Sequence, residues 1–294
     1  MTVLVLALFG LPIAAFLARQ VLLALPLRMR PALRPGALAS VLTAFRIPWR
    51  LADSEVERLR ALTFGDQSLE EFVSGGFGPF GRVGKLVRAG RVADARHLLE
   101  TSDLAREGPS GKLADALVLQ RASDGAGAEQ ILRGLLRDAS IESRYRLWAA
   151  SALREMGLQA DEELADQLLG VIGETPMPLG LDTLAAYSDG SARYVNQSGA
   201  VILYDPADAS LAAPVGAVGV AARSVYLSAP LAPGPGPSFA PEEFRFTFLT
   251  PRGRRMVSED RRRFGNGTPY DGLFFALGAL LSAVSEWAYP KKRA

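Results

Sequence analysis

Cysteine is missing from this 294-residue chain. That absence removes disulfides, thiolate zinc sites, cysteine nucleophiles and thiolate-held iron–sulfur clusters together. Histidine occurs once, at His97, so a Ser-His-Asp triad or a metal site has one imidazole at most to draw on. In Ala95-Arg96-His97-Leu98-Leu99 it reads as a helix-surface residue, and no Gly-x-Ser-x-Gly nucleophile elbow exists anywhere. Lysine is confined to Lys85, Lys112, Lys291 and Lys292, and no acidic residue precedes Asp53. The net charge of +2 is too small to indicate a polyanion partner, which needs a concentrated basic face. Nucleic acid is therefore not expected, nor is a cofactor, a metal or a catalytic residue.

What is present is an apolar opening. Met1 to Ala18 carries no charged side chain, and after Arg19 and Gln20 the run resumes from Val21 to Leu27, long enough to span a bilayer. A secretory signal would begin with a positive region and end at a small-residue cleavage site; here no basic residue precedes the run, and Ala14-Ala15 to Ala18 lies inside it. Residues 1–27 are expected to be an uncleaved transmembrane anchor. Arg28, Arg30, Arg34, Arg46 and Arg50 then make 28–53 a basic juxtamembrane connector. Positive charge stays on the cytoplasmic side, so a bacterial inner-membrane protein is expected, N-terminus out and soluble part in the cytoplasm.

Residues 54–174 read as a helical domain. Ser54 with Glu57 and Ser68 with Glu71 have the spacing of capping boxes, and glycine-containing breaks near Gly90, Gly108, Gly127, Gly157 and Gly173 separate short helices. Gly76-Phe77-Gly78-Pro79-Phe80-Gly81 matches the dinucleotide fingerprint literally. A helix precedes it rather than a strand, however, and Pro79 removes an amide donor, which argues against nucleotide binding. A turn between helices is the plainer reading; a joint presenting Phe77 and Phe80 to the membrane is the functional one. Arg88 to Ala95 and Tyr145 to Gly157 resemble pieces of tetratricopeptide or HEAT-type helical-repeat proteins, which implies a protein-binding layer, although no 34- or 40-residue period recurs cleanly.

From Thr175-Pro176 onward the composition changes, and 175–294 reads as an α+β domain. Leu181–Tyr187, Ser191–Asn196 and Ala200–Asp205, separated by glycine turns, predict an antiparallel meander, with Tyr187, Tyr194 and Tyr204 stacking on one face. Tyr187-Ser188-Asp189-Gly190, Arg193-Tyr194-Val195-Asn196 and Ser198-Gly199 resemble a block in uncharacterised bacterial membrane-anchored proteins, which implies no activity. Asp182, Asp189 and Asp205 invite an acid–base or metal reading, but Asp189 is explained by its turn and Asp205 by the Asp-Pro loop start. A helix interrupted at Pro214 and Gly216 is expected over 207–223, then a strand over 224–228. Phe244, Phe246 and Phe248 alternate with polar residues, Thr250 to Gly253 makes a turn, and Arg254–Ser258 returns. The expected domain is a five- or six-stranded antiparallel sheet with helices on one face.

Two further features bear on function. Arg252, Arg254, Arg255, Arg261, Arg262 and Arg263 form a candidate contact for anionic lipid or an acidic protein. The apolar stretch from Gly272 to Val284 is read as the sheet's buried helix, being short for a span; Trp287, Tyr289 and Lys291-Lys292-Arg293 suit a membrane interface. Together these imply a membrane-anchored, non-enzymatic interaction or scaffold protein with a protein partner. The alternative is an envelope-side hydrolase or ligand-binding protein exported by its N-terminal segment.

Overall fold

The computed structural model describes residues 53–289 except Asp66, Phe77, 103–107, 233 and 235–237. The expected anchor and nearly all of the connector, residues 1–52, lie outside the described residues, as does Phe77. Apart from the end of the last helix, everything below belongs to one unit, Arg50–Val284.

Local sequence explains the first helices, α1 (Asp53–Phe64), α2 (Leu69–Ser74) and α3 (Gly78–Arg88). At α2 the expected capping box forms: Ser68 Oγ accepts from the Glu71 amide at 3.1 Å, and the Glu71 carboxylate accepts from the Ser68 amide at 3.3 Å. The glycines that follow serve packing. A Cβ on Gly76 would strike the Phe80 ring, one on Gly81 the Gly76 carbonyl, and one on Gly84 the Ser74 backbone, so α2 and α3 meet backbone to backbone. The literal dinucleotide fingerprint is thereby accounted for without a phosphate.

Four more helices follow, α4 (Val92–Thr101), α5 (Pro109–Arg121), α6 (Gly125–Arg137) and α7 (Ser143–Glu155), then the single turn α8 (Glu162–Ala165). Three of these helices end alike. After α3, α5 and α7 the residues Gly90, Ser123 and Gly157 take positive φ of 74°, 65° and 76°. The next amides, of Arg91, Asp124 and Leu158, return to Leu86, Leu119 and Leu153, each at 2.9 Å. This is the Schellman closure. From Gly90 to Ser123 is 33 residues and from Ser123 to Gly157 is 34, with Ala95 and Ala128 fully buried at matching places and Leu99 and Leu132 nearly so. The period that the residues conceal is present in the backbone.

The sheet has six strands, β1 (Gly170–Met177), β2 (Gly180–Tyr187), β3 (Ala192–Val195), β4 (Val201–Tyr204), β5 (Glu243–Thr250) and β6 (Gly253–Asp260). Their order is β4-β3-β2-β1-β5-β6, all neighbours antiparallel. With ten α-helices among the described residues, the fold is α+β. Several expectations need correction. The helical run stops at Ala165, and the boundary expected at 175 falls inside β1. Residues 226–228 are a 3-10 turn, not a strand. Pro214 sits in the first turn of α9 (Ala212–Arg223) without interrupting it. Tyr187 is out of phase with Tyr194 and Tyr204 in the β2–β3–β4 register, so the three tyrosines do not share a face.

Helices cover both sheet faces rather than one. On one, Phe64 of α1 and Leu147 of α7 pack with Leu169, Ile172, Ala185, Tyr187 and Leu249. On the other lie α9 and α10 (Asp271–Ala288); Leu277 presses so close to Gly173 that a Cβ there would meet it at 2.9 Å. α10 buries Leu273, Leu277, Leu280 and Val284, one stripe at helical spacing. Its 18 residues make it, among the described residues, the one helix long and apolar enough to cross a membrane by length and composition. It is buried on that stripe only, with Phe275 56 % exposed.

Candidate functional site

Beside the apolar cluster of Phe64 and Leu147 with the sheet, the helical layer meets the sheet across a seam of charged and polar groups. From α1, the Arg60 guanidinium reaches Glu174 Oε1 of β1 at 2.5 Å and Thr183 Oγ1 of β2 at 3.0 Å. Its Nη1 also holds Glu57 at 2.7 Å. Arg60, Glu174 and Thr183 are 8 %, 3 % and 0 % exposed. A side chain this deeply buried needs partners for its polar atoms, and Thr183 supplies a further donor at 3.1 Å. Beside it, the Tyr187 hydroxyl donates to the Thr63 carbonyl at 2.5 Å. Burial pushes that phenol's pKa well up, fixing it as a donor.

A second junction lies at the start of α7. Glu142 accepts from Arg144 Nε at 2.5 Å and from Arg193 Nη2 of β3 at 3.0 Å. Arg193 also donates to the carbonyls of Ala192 and Tyr204. Burial, with the like charge of Arg144 adding to it, lowers the Arg193 pKa. Asp189 spans the layers, taking the Ser191 amide with one oxygen and the Ser143 amide with the other, at 2.8 and 2.6 Å. It therefore caps a helix of the other layer besides shaping its own turn.

The six arginines singled out in the sequence divide into two groups. Arg252 and Arg255 both bind Asp166, just past α8, at 3.0 and 3.2 Å. Arg252 also reaches Glu162 at 3.4 Å, and Arg254 lies over the Phe64 ring at 4.1 Å. Hydrogen bonding from Arg252, ahead of that from Arg255, holds Asp166 below the usual carboxylate range. Arg261, Arg262 and Arg263 sit past the far end of β6 and pair with Glu242, Asp260 and Glu259 at 2.8, 2.5 and 3.2 Å. The bond from Arg262 draws Asp260 down to about 2. β6 carries the chain about 23 Å between the two groups, at ~3.3 Å per residue. They are thus separate, and Arg252, Arg255, Arg261, Arg262 and Arg263 are each matched by a carboxylate.

Comparison with protein-family models, curated proteins and solved structures returns no match.

The acidic residues that an acid–base reading would have used are likewise engaged. Asp182 accepts from the Tyr194 hydroxyl and the Gln197 amide at 2.9 and 2.8 Å, and Asp205 from the Ala207 amide at 2.9 Å. Among the described residues no group of three or more His, Cys, Asp or Glu is placed to hold a metal. A small depression at the seam, of about 10 Å³, is lined by Phe64, Leu147, Arg154, Leu249 and Arg254 among others. That is the room one water takes. The seam fixes two layers together. Sequence reasoning passed over Arg60, Glu174 and Glu142 because their partners are 114 and 51 residues distant in the chain, with no local motif to mark them.

Proposed function

We propose that the chain is a membrane-anchored, non-enzymatic interaction module whose soluble part faces the cytoplasm. The observation that supports the interaction role most is the recurrence of identically closed helices at 33- and 34-residue intervals. Stacked helical hairpins present extended outer surfaces on a frame in which each unit leans on its neighbours, in keeping with the helical-repeat resemblance of this stretch. Here β1 follows the last hairpin after the stub α8, and the polar seam holds the frame to the sheet. Anchoring rests on the uncharged Met1–Ala18 run and its direction on the arginines that follow. A reporter fused after Ala294 tests the topology. Fluorescence from a cytoplasm-only reporter is expected, whereas activity of a periplasm-only enzyme in its place favours the exported hydrolase or ligand-binding reading instead.

A further inference from the structure

We propose that the outer face of α3 docks on a bilayer carrying anionic lipid; the inference rests on the membrane-anchored reading above. α3 exposes Arg82, Lys85 and Arg88, with exposed Arg91 just beyond its end. No acidic residue occurs between Glu71 and Asp94. Residues spaced i, i+3 and i+6 fall within an arc of about 120° on a helix of 3.6 residues per turn, so the three basic side chains of α3 share one side. Val83, Gly84 and Val87 are buried away from them, while buried Gly81 lies on the basic side at the start of the helix, against the Gly76 carbonyl.

Pairing separates this face from the arginines at 252–263. Arg88 and Arg91 hold Glu70 and Asp94 at the rim, at 3.2 and 2.6 Å. Arg82 and Lys85 make no ion pair or carboxylate hydrogen bond among the described residues, and so keep their charge available. Exposed Gly78 and Pro79 extend the face without adding an acid. Basic residues on the polar side of an amphipathic helix are a membrane-surface pattern. Lipid is favoured over single-stranded nucleic acid because, among the described residues, no exposed aromatic stands among these side chains to stack a base. A chain tethered to a bilayer also meets its headgroups at high effective concentration.

The absence of cysteine makes the test direct, since Ala89→Cys at an exposed position next to Arg88 creates a single labelling site. The full chain, labelled there with a fluorophore, is reconstituted into vesicles of phosphatidylcholine alone or mixed with phosphatidylglycerol. Quenching by a headgroup spin-labelled lipid is then read. Several-fold stronger quenching in the anionic vesicles is expected, lost at 1 M salt, where the screening length falls to about 3 Å. Arg82→Gln with Lys85→Gln should weaken docking roughly 30-fold, the factor two surface-bound basic residues contribute. Both side chains are exposed, so the fold is unaffected. Arg252→Gln with Arg262→Gln should leave the quenching unchanged. Equal quenching in the two vesicle types, persistence in the Arg82/Lys85 variant, or a response to an RNA oligonucleotide on neutral vesicles overturns the proposal. Failure of the chain to float with neutral vesicles defeats the anchored reading; flotation without quenching at position 89 in anionic vesicles defeats only the α3 surface.

Discussion

The helical layer and the sheet fill their interiors with different materials. Between the helices alanine shares the fully buried positions with leucine and valine: Ala95, Ala114, Ala116, Ala128, Ala149, Ala150 and Ala152 are at most 1 % exposed, as are Val73, Val83, Leu113, Leu117 and Leu153. Around the sheet large rings join the aliphatic residues, with Phe246, Phe248 and Tyr204 equally buried and Tyr270 stacked on Phe246 at 5.6 Å between centroids. Alanine lets helices approach closely; rings fill the wider gap between helix and sheet. Where the two layers meet, an apolar cluster of Phe64, Leu147, Ile172, Tyr187 and Leu249 is joined by the polar contacts of Arg60, Glu174, Thr183, Glu142 and Arg193. A buried ion pair adds little net stability over well-packed apolar residues, but it strongly penalises any arrangement that leaves one partner alone. The seam therefore selects one docking of the two layers more than it strengthens it.

The sharpest way to break that contrast is at the seam. Glu174→Ala removes the buried carboxylate from the Arg60 guanidinium, leaving it Glu57 and Thr183, and should lower stability by up to about 3 kcal/mol, read as the shift of a denaturant midpoint at constant m-value. Arg60→Met combined with Glu174→Leu should recover most of the loss. A double variant as unstable as the single one would mean that the pair stabilises outright.

Next come two glycines of the helical layer. Gly84→Ala pushes a methyl into the Ser74 backbone and should cost about 1–3 kcal/mol. Gly134→Ala, in the exposed interior of α6 with no neighbour within 4 Å, should stabilise by about 0.5–1 kcal/mol. Thermal midpoints moving in opposite directions support the close α2–α3 approach; a neutral Gly84→Ala would remove it.

The smallest effect is in acid, where the regions respond with opposite sign. Burial, partly offset by Arg96, raises the Asp115 pKa in the helical layer, so the folded form takes up a proton before the unfolded form does. Asp115→Asn should then stabilise at pH 7, with the gain shrinking as pH falls towards 3.8. Asp166 at the seam is lowered by Arg252; it contributes stability above 3.8 that is lost as pH falls through its folded value. Asp166→Asn should accordingly destabilise at pH 7, with the deficit fading in acid. Stability curves for the two variants between pH 3 and 7 should converge on the parent from opposite sides.

Legibility followed the range of the interactions. The Ser68–Glu71 cap and the Phe244-Phe246-Phe248 alternation with its return after Thr250-Pro251-Arg252-Gly253 are set by neighbours in the chain, and each was readable. β1 was not, because Gly170-Val171-Ile172-Gly173 is too short an apolar run for periodicity to tell a strand from a helix. The hairpin period escaped notice because its marker is a backbone angle shared by two glycines and a serine. The arginine candidates misled as a single cluster because the carboxylates that match Arg252 and Arg255 lie 86 and 89 residues away, and because extended β6 sets the two triplets apart.

The Arg60–Glu174 bond also has a place in time. Arg60 is synthesised 114 residues before Glu174, which at ~5–20 residues per second is a wait of about 6 to 23 s on the ribosome. α2 to α7 close on near neighbours and can be complete within that interval, as can the Arg58 bond of α1 to the Gly75 carbonyl, whereas the contacts of Arg60 with Glu174 and Thr183 wait for β1 and β2. A chain interrupted before them leaves Arg60 without its two sheet partners, so that contact is a signature of a chain made past β2.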